Sequence, residues 1–313
     1  MSSPTNHKPT LSIILVSYNT AAYIRRALES LFRETQLTDY EVIVVDNHSS
    51  DDSVKLLRQH FPQVNLIASD SNPGFAGGVR QGVAVARGDY LLLLNPDTVI
   101  LNAAIDRLMH FAELYPEHGI WGGVTLNNDM SINTQHAWEM LNFKNLLFSA
   151  LGLSKLFSSS CFFNSANYGC WQRDTIKEVD ITSGCFFLTT RALWDKLDGL
   201  DPSFFMYAEE ADYCLRAKAL GHQPIVTPDA TIIHHGGVSH SRFSGKLIKL
   251  LKGKVELINR HVTAWKRPIY KALLYLYVLN KHILYSLFKP KSEQRQEWRT
   301  VFAERHDWLQ GYR

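Results

Sequence analysis

Residues 91–97 read Leu-Leu-Leu-Leu-Asn-Pro-Asp and form the most informative stretch of the chain. Four leucines between Gly88-Asp89 and Asn95-Pro96 predict a short strand that is buried on both faces. Because proline cannot donate to a strand ladder, the strand should end there and leave Asp97 at the carboxyl edge of a sheet, where open α/β sheets bind ligands. We interpret Asp97 as a carboxylate that holds a divalent cation against a diphosphate. The alternative is a turn aspartate that caps a helix beginning near Asn102.

Segments with strand and helix patterns alternate on both sides of this stretch. The predicted strands are residues 11–17, 41–45, 64–68, 90–94 and 119–125, and the predicted helices are 21–32, 53–60, 75–86 and 103–114. This alternation predicts an α/β fold with a mostly parallel central sheet flanked by helices and joined by right-handed crossovers. The pattern breaks after residue 126. It resumes with a strand at 181–190, a helix from 191, an extended-then-helical segment at 204–220, and short strands at 222–227 and 230–234.

Composition and cysteine spacing limit the function classes. The chain has 313 residues, is 45% apolar and carries a formal charge of +3, which indicates a globular protein with a sizeable core rather than a dedicated nucleic-acid binder. Its cysteines form no C-x-x-C pair, so a zinc site is not expected. No secretory signal pattern precedes residue 11, and we therefore expect a reducing compartment and free thiols at Cys161, Cys170, Cys185 and Cys214.

The C-terminal region is basic and apolar. Between Arg242 and Lys291 the only acid is Glu256, which suggests either an anionic membrane surface as partner or a solvated basic face. Residues 246–288 have the spacing of two helices that pack on the sheet domain or lie in the membrane interface, and residues 143–163 are either a lipid-contacting segment or a helix packed on the core. No stretch of about 20 residues is free of charge, so we expect no spanning helix.

Polar motifs follow the predicted strands. Val16-Ser-Tyr-Asn19 follows the first strand and Asp46-Asn-His-Ser-Ser-Asp51 the second. Since the ends of parallel strands meet at one edge of a sheet, we expect Asp46 and Asp97 to converge there. An aspartate in this place can accept a hydrogen bond from a base N–H or a ribose hydroxyl.

A glycine-rich loop, Asn-Pro-Gly-Phe-Ala-Gly-Gly at residues 72–78, lies between the third strand and its helix. Such a loop lets the backbone approach a phosphate, which the following helix start favours. Arg80, one turn into the helix, is placed to reach the same anion. The alternative is a tight turn into a packed helix.

Together, these four motifs resemble the inverting family 2 glycosyltransferases, and most closely their bacterial rhamnosyltransferase-like branch; the resemblance covers residues 11–239. It implies a GT-A fold, a nucleotide-diphospho-sugar donor such as a dTDP- or UDP-sugar, and a Mg²⁺ or Mn²⁺ ion. Asp46 matches the aspartate that reads the base, and Asp97 matches the last aspartate of the metal-binding D-x-D, whose first position is Asn95 here. The implied donor-binding residues are Ser17, Tyr18, Asn19, Asp46, Asn72, Gly74, Gly77, Gly78, Arg80 and Asn95.

The downstream half matches the acceptor side of the same family. Thr182-Ser-Gly-Cys185 resembles its small-residue strand, and residues 204–212 resemble its F-x-x-E-D-x-D segment. The resemblance implies that Glu210 is the catalytic base, a glutamate where aspartate is usual, with Glu209 or Asp212 as possible helpers. The alternative for the pair Glu209 and Asp212 is a solvated acidic face with Arg216 as partner.

His234 to Ser239 resembles the family's H-x-G-G-x-S segment, so His234 is a second candidate metal ligand; the alternative is an ordinary loop histidine. The resulting domain prediction is a flexible terminus at 1–10, a GT-A domain at 11–240 with a nucleotide-binding half (11–125) and an acceptor half (126–240), and basic amphipathic helices at 241–313.

The resemblance implies transfer of a sugar, with rhamnose the branch's commonest, to a glycan or lipid-linked saccharide in cell-surface polysaccharide synthesis. We expect a cytoplasmic protein, or one peripheral on the inner face of the plasma membrane. The competing functions are a nucleotidyltransferase and a non-catalytic nucleotide-sugar-binding module. A Rossmann oxidoreductase is disfavoured because the glycines follow the third strand rather than the first.

Overall fold

The computed structural model describes residues 7–236 and 243–312. The strands of this part are β1 (Leu11–Ser17), β2 (Tyr40–Asp46), β3 (Asn65–Ala68), β4 (Tyr90–Leu94), β5 (Thr98–Ile100), β6 (Ile120–Leu126), β7 (Ala137–Trp138), β8 (Lys177–Glu178), β9 (Ile181–Thr182), β10 (Phe186–Thr190) and β11 (Ile225–His234). Its α-helices are α1 (Ala21–Glu34), α2 (Ser53–His60), α3 (Gly74–Val85), α4 (Ala104–Leu114), α5 (Phe143–Ala150), α6 (Leu153–Leu156), α7 (Arg191–Lys196), α8 (Glu209–Ala219), α9 (Phe243–His261), α10 (Arg267–Phe288), α11 (Glu293–Ala303) and α12 (Arg305–Trp308).

The central sheet has the order β3-β2-β1-β4-β10-β6-β11-β5, with β8 paired to β11. The first four strands in this order are parallel, whereas β10 runs antiparallel to β4 and β6. All four leucines of β4 are buried, and alternate ones enter the cores on opposite faces of the sheet, Leu92 and Leu94 on one and Leu91 and Leu93 on the other. The predicted α/β fold with a mostly parallel sheet is confirmed.

Three strand predictions differ from the structure. The chain immediately after Asp97 forms β5, which was not predicted and pairs antiparallel with the end of β11. The single strand expected at 181–190 is divided into β9 and β10, because β9 leaves the main sheet to pair with β7. The two short strands expected at 222–227 and 230–234 are one strand, β11, with an irregularity between Thr227 and Thr231 where its register against β6 shifts.

The two helices expected within residues 246–288 are α9 and α10, and two further helices, α11 and α12, follow them in the described part of the chain. Helices α9 to α12 enclose a core of their own that includes Trp298, Val301 and Trp308, and Leu146 of α5 joins it. Leu257 of α9 also enters the core on one face of the central sheet. The helices are therefore packed on the rest of the protein through both α5 and α9.

The cysteine prediction is wrong in part. Cys161 and Cys170 form a disulfide with a Cα–Cα distance of 5.0 Å, whereas Cys185 and Cys214 are buried free thiols. Asn164 lies in the loop that the bonded pair closes. Its side-chain amide donates to the carbonyl of Ser158 at 2.7 Å, and its backbone carbonyl accepts from the Gly169 N–H at 2.9 Å. Spacing alone could not reveal this pair, and the disulfide removes the argument from thiols for a reducing compartment. No described helix combines the length and hydrophobicity that crossing a membrane would require.

Candidate active site

A cleft of about 650 Å³ lies at the carboxyl edge of the sheet. Its floor is formed by the segments that follow β1, β2 and β4, and its walls come from the acceptor half and from α9 and α10. The predicted site residues that line it are Tyr18, Asn72, Gly74, Asn95, Asp97, Glu209, Glu210 and His234. The sheet edge thus brings together side chains from both halves of the chain.

Asp97 and His234 form a pair at the base of the cleft. The Asp97 Oδ1 atom is 3.3 Å from His234 Nε2, and its Oδ2 atom accepts from the Gly236 N–H at 3.0 Å. Burial alone would raise the pKa of Asp97, but the hydrogen bond and charge of His234 outweigh it and lower that pKa. Burial opposes the charged form of His234, yet the Cys185 thiol and Asp97 raise its pKa to about 10.

The pairing of β5 with β11 explains how these two residues meet. His234 is opposite Thr98 in this ladder, so the last residue of β11 is carried back to the end of β4. Asn95 Nδ2 is also 3.2 Å from His234 Nε2. Asp97 does not cap a helix, because β5 follows it directly and α4 begins only at Ala104. Of the H-x-G-G-x-S segment, Gly237, Val238 and Ser239 lie outside the described residues.

Glu209 and Glu210 are the first residues of α8 and face the same cleft. The Oε2 atom of each is buried without a hydrogen-bond partner among the described residues. Burial raises the pKa of Glu210, and burial together with the neighbouring charge of Glu210 raises that of Glu209. Gly184 packs against Glu210, since a Cβ on this glycine would lie 3.6 Å from the Glu210 Cβ, an ordinary van der Waals contact.

Tyr207 lines the cleft together with the two glutamates and the metal-site candidates. Burial, followed by the charges of Glu209, Glu210 and Asp97, raises the pKa of its hydroxyl. The Tyr207 hydroxyl is thus within electrostatic reach of all three carboxylates. Tyr207 and Ala208 have φ values of 72° and 79°, in the left-handed region that non-glycine residues rarely adopt. This turn aims the two glutamates that follow it into the cleft.

Asp212, the third acid of the motif, does not reach the cleft. Its Oδ2 atom accepts from Arg216 Nε at 2.7 Å and its Oδ1 atom is 2.8 Å from His261 Nε2 of α9. The side chain is 1% exposed, so the alternative of a solvated acidic face with Arg216 is also wrong, although Arg216 is its partner. The prediction that Asp212 assists as a base is corrected: the carboxylate joins α8 to α9.

Ser17, Asn19 and Asp46 bind neighbouring loops rather than face the cleft. Asp46 accepts from the Ser49 N–H at 2.8 Å and from its hydroxyl at 2.7 Å, and is 1% exposed. Asn19 accepts from the Ser50 N–H, and Ser17 shares a hydrogen bond with Thr20. These contacts fix the loops after β1 and β2, where Tyr18 and Asn47 line the cleft instead. Because Asp46 is almost fully buried beside Ser49, direct reading of a base by Asp46 would require the loop that carries Ser49 to move.

The glycine loop is explained by close packing. A Cβ at Gly74, which has a φ of +77°, would lie 2.1 Å from the carbonyl oxygen of Phe205 in the segment before α8. Gly77 is in contact with Pro73, and Gly78 with Val16 and Asn47, and neither lines the cleft. The Asn72 Oδ1 atom accepts from the Gly74 N–H at 2.9 Å. The alternative reading, a tight turn into a packed helix, therefore describes Gly77 and Gly78.

Arg80 is directed to a different surface. Its guanidinium donates to the carbonyl of Asp198 and lies 3.2 Å from the Asp198 carboxylate, and it also donates to the carbonyl of Leu200. Arg80 is absent from the residues that line the cleft. The prediction that it binds the donor's anion is wrong, because the loop before α8 supplies the acceptors that satisfy it.

The sequence analysis missed two walls of the cleft. One is the segment 133–146, which contributes His136, Trp138 and Glu139, and the other is the face of α9 that carries Lys246, Leu250 and Lys254. Residues 133–141 have no helical or strand period that would have revealed them. The α9 face does carry a signal, since these three residues recur at intervals of four, but this spacing did not show which way the face points.

The sequence and the fold match known proteins. A family model described as glycosyl transferase family 2 matches residues 12–210. N-acetylglucosaminyl-diphospho-decaprenol L-rhamnosyltransferase of Mycobacterium tuberculosis is 23% identical over 299 residues, which cover 91% of this chain and 96% of that protein. Rhamnosyltransferase WbbL of Escherichia coli is 25% identical over 243 residues, which cover 76% of this chain and 88% of that protein.

A solved structure shares the architecture. It is mannosyltransferase PcManGT from Pyrobaculum calidifontis in complex with GDP-Man and Mn²⁺, which aligns with a TM-score of 0.59 over 97% of this chain and 86% of that chain. The sequence identity is 15%, so this likeness concerns the fold.

Proposed function

Because this chain belongs to glycosyl transferase family 2 and is a glycosyltransferase with the GT-A fold, we propose that it is an inverting enzyme in which Glu210 is the general base. The donor is a nucleotide-diphospho-sugar, and the rhamnosyltransferase relatives favour dTDP-rhamnose over other dTDP- or UDP-sugars. The acceptor is a hydroxyl of a glycan or lipid-linked saccharide in cell-surface polysaccharide synthesis. Family membership favours glycosyl transfer over the nucleotidyltransferase alternative.

The observation that carries this proposal is the Glu210 carboxyl, whose buried Oε2 atom has no hydrogen-bond partner among the described residues and which lies in the same cleft as the Asp97–His234 pair. Burial raises the pKa of Glu210, which suits a carboxylate that accepts a proton during the reaction. Glu210 takes the acceptor's hydroxyl proton as that oxygen bonds to the anomeric carbon. The bond from this carbon to the diphosphate breaks on the opposite face, the nucleoside diphosphate leaves, and the anomeric configuration is inverted.

The residues at the base of the cleft fit a divalent metal site with few protein ligands. Asp97 would hold Mg²⁺ or Mn²⁺ with Asn95 beside it, and His234 would be a second ligand once the metal displaces its ring proton, although no described cluster offers three His, Cys, Asp or Glu ligands. Mg²⁺ is commonly bound by one or two carboxylates with phosphate oxygens and water completing the shell, so this small set is sufficient. When bound, the metal would neutralise charge on the departing diphosphate.

Fewer residues are proposed to bind the donor than the sequence motifs indicated. Tyr18, Asn72, Gly74 and Asn95 line the cleft and are retained as donor-binding residues. Ser17, Asn19 and Asp46 act on the donor through the loops that they hold. We also retain the proposal that the protein works in the cytoplasm or at the inner face of the plasma membrane.

Donor hydrolysis tests the proposal without knowledge of the acceptor. The chain is incubated with dTDP-rhamnose and a panel of UDP-sugars in the presence of Mn²⁺, and release of nucleoside diphosphate is measured with water in place of the acceptor. We expect Glu210→Gln to retain donor affinity and to lose about 10²- to 10⁴-fold in turnover, the usual contribution of a general base.

Two further variants make the result specific. Glu29→Gln, at an exposed site on α1, controls for the loss of one carboxylate and should hydrolyse the donor at the wild-type rate. A larger loss in Glu209→Gln than in Glu210→Gln would transfer the base to Glu209. Wild-type turnover by Glu210→Gln would overturn the assignment.

A further inference from the structure

The turn before α8 has a backbone conformation that its own residues do not favour. Tyr207 and Ala208 have φ values of 72° and 79°, and Ala208 is the N-cap of α8. An N-cap residue usually has an extended backbone and a polar side chain that accepts from the first helical turn, and alanine provides neither here. Successive left-handed residues of this kind persist only where neighbouring groups hold them. The direction of Glu209 and Glu210 therefore depends on contacts from other parts of the protein.

Distant parts of the chain bind two carbonyl groups of this segment. The carbonyl of Phe205 accepts from the Phe75 N–H of α3 at 3.0 Å. The carbonyl of Met206 accepts from the hydroxyl of Tyr312, which follows α12 and is 106 residues away in the sequence. The second contact is made by a side chain, so a substitution can remove it without changing the backbone.

Tyr312 is itself fixed by two further contacts. Its ring packs edge-on against Phe204, with ring centroids 5.8 Å apart and an interplanar angle of 68°, and Phe204 is fully buried. Its hydroxyl oxygen is also 3.2 Å from the carbonyl oxygen of Lys249 on α9. The hydroxyl therefore lies between α9 and the turn, with its ring anchored in the core on one face of the sheet.

Tyr312 is close to the glutamates but does not line the cleft. Burial is the main cause that raises the pKa of its hydroxyl, and the charges of Glu209 and, to a smaller extent, Glu210 add to this effect. Tyr312 also lies outside residues 12–210, which the family model matches, so family membership assigns it no role. Its position allows it to act on the glutamates through the turn rather than on a substrate.

We propose that Tyr312 is a positioning residue for the general base. Its hydroxyl holds the Met206 carbonyl, which keeps Tyr207 and Ala208 in their left-handed conformation and directs Glu210 into the cleft. This inference rests on the proposed function of Glu210 and makes the helical C-terminal region part of the catalytic apparatus. Without the hydroxyl, the carbonyl loses its partner and the turn can relax towards commoner backbone conformations, which moves the carboxylate away from the reacting oxygen.

Tyr312→Phe tests this role because it removes the hydroxyl and keeps the ring against Phe204. Donor hydrolysis is measured with dTDP-rhamnose, or with the UDP-sugar that the wild type hydrolyses fastest, in the presence of Mn²⁺. We expect kcat to fall at least about tenfold and KM to change less than about twofold, because the base is misplaced while the donor-binding residues are intact. A rise in KM at unchanged kcat would overturn the inference.

Two variants separate the hydroxyl from general effects on packing. Tyr168→Phe removes a hydroxyl that accepts from the Asp180 N–H at 2.9 Å, away from the turn, and should hydrolyse the donor at the wild-type rate. Tyr312→Leu removes the ring as well as the hydroxyl. Wild-type kcat in Tyr312→Phe with a loss only in Tyr312→Leu would show that the ring merely packs, and would overturn the positioning role.

Hydrogen exchange separates this inference from the assignment of the base. Amide exchange in a peptide spanning residues 204–212, followed by mass spectrometry, should be at least about tenfold faster in Tyr312→Phe than in the wild type and unchanged in Tyr168→Phe. Unchanged exchange in Tyr312→Phe would overturn the inference, as would faster exchange with wild-type turnover. If Glu210→Gln keeps wild-type turnover, the proposed base fails, but faster exchange in Tyr312→Phe would still show that the hydroxyl holds the turn.

Discussion

Glu210 titrates in an environment that raises its pKa, mainly by burial. A general base must be deprotonated to work, so activity should be lost as the pH falls through this raised value. We therefore predict that the acid limb of the kcat/KM profile has its midpoint above about 4.3, the ordinary pKa of a glutamate. Donor hydrolysis measured across the pH range in a constant ionic strength buffer provides the profile. A midpoint at or below the ordinary value would contradict the role of Glu210.

Gly74 is predicted to be intolerant of a side chain for a steric reason. Gly74 and Gly152 have the same φ of +77°, but a Cβ at Gly74 would lie 2.1 Å from the Phe205 carbonyl oxygen, whereas a Cβ at Gly152 would meet nothing within 4 Å. Gly152→Ala should cost about 1–2 kcal/mol, the left-handed backbone cost alone. Gly74→Ala should cost clearly more, because Phe205 must also move.

Urea unfolding of both glycine variants measures this difference. Equal losses of stability would mean that the contact with Phe205 is relieved at little cost. Retained stability combined with reduced donor hydrolysis in Gly74→Ala would instead show that the displacement is transmitted from Phe205 to the turn before Glu209.

The sequence identified the residue types of the site better than their partners. Asp97, Glu210 and His234 line one cleft, as the motifs predicted, because Asp97 follows β4, His234 ends β11 and Glu210 lies in the first turn of α8 at the same sheet edge. Ser17, Asn19 and Arg80 were assigned to the donor, but their hydrogen bonds go to other loops. Side chains of this kind form hydrogen bonds with ligands and with loops equally well, and only the fold determines which hydrogen-bonding groups lie nearby.

Helix α9 supports the turn that carries the glutamates, and this contact can be tested with two glycines of the same helix. A Cβ at Gly253 would lie 2.7 Å from the Tyr207 carbonyl oxygen and 2.9 Å from the Ala208 Cβ, whereas a Cβ at Gly245 would meet nothing within 4 Å. We predict that Gly245→Ala stabilises the protein by up to about 1 kcal/mol through helix propensity. Gly253→Ala should destabilise it by about 1–3 kcal/mol through overpacking.

The two alanine variants are compared by urea unfolding and by donor hydrolysis. Gly253→Ala should also lower turnover, because α9 cannot move away without releasing the turn at Tyr207 and Ala208. Similar stability changes of the same sign in both variants would show that α9 is not packed against this turn.

The predicted elements were most accurate where burial is continuous. Strands β1 and β4 match their predicted bounds, because unbroken apolar runs between polar turns have few alternative structures. Strand β5 was missed because three residues directly after a proline turn carry no period of their own. Its consequence is large, since its pairing with β11 is what brings His234 to Asp97. A short strand defined by its partner is not visible in a single sequence.

The whole molecule has an uneven distribution of apolar surface. Leu156, Leu287 and Phe288 are each at least 68% exposed, and they belong to the helical region around α5, α6 and α10. The same region is basic, since it contains Lys155 and Lys281. Burial and, to a smaller extent, the charge of Lys155 lower the pKa of Lys281. Exposed apolar side chains next to cations are typical of proteins that bind the surface of an anionic membrane.

We therefore predict that the protein cosediments with vesicles that contain anionic lipids, and that added salt weakens this binding by screening the charges. Leu287→Gln/Phe288→Gln should reduce vesicle binding at least about tenfold, because each fully inserted apolar side chain contributes roughly 1.5–3 kcal/mol. Leu37→Gln, which is 88% exposed in the α1–β2 connection, is the matched control and should bind like the wild type. Undiminished binding by the double variant would place the membrane contact elsewhere. Equal losses in the double variant and in Leu37→Gln would show non-specific adhesion. If only the double variant loses binding, the end of α10 is the part of the protein that contacts the membrane.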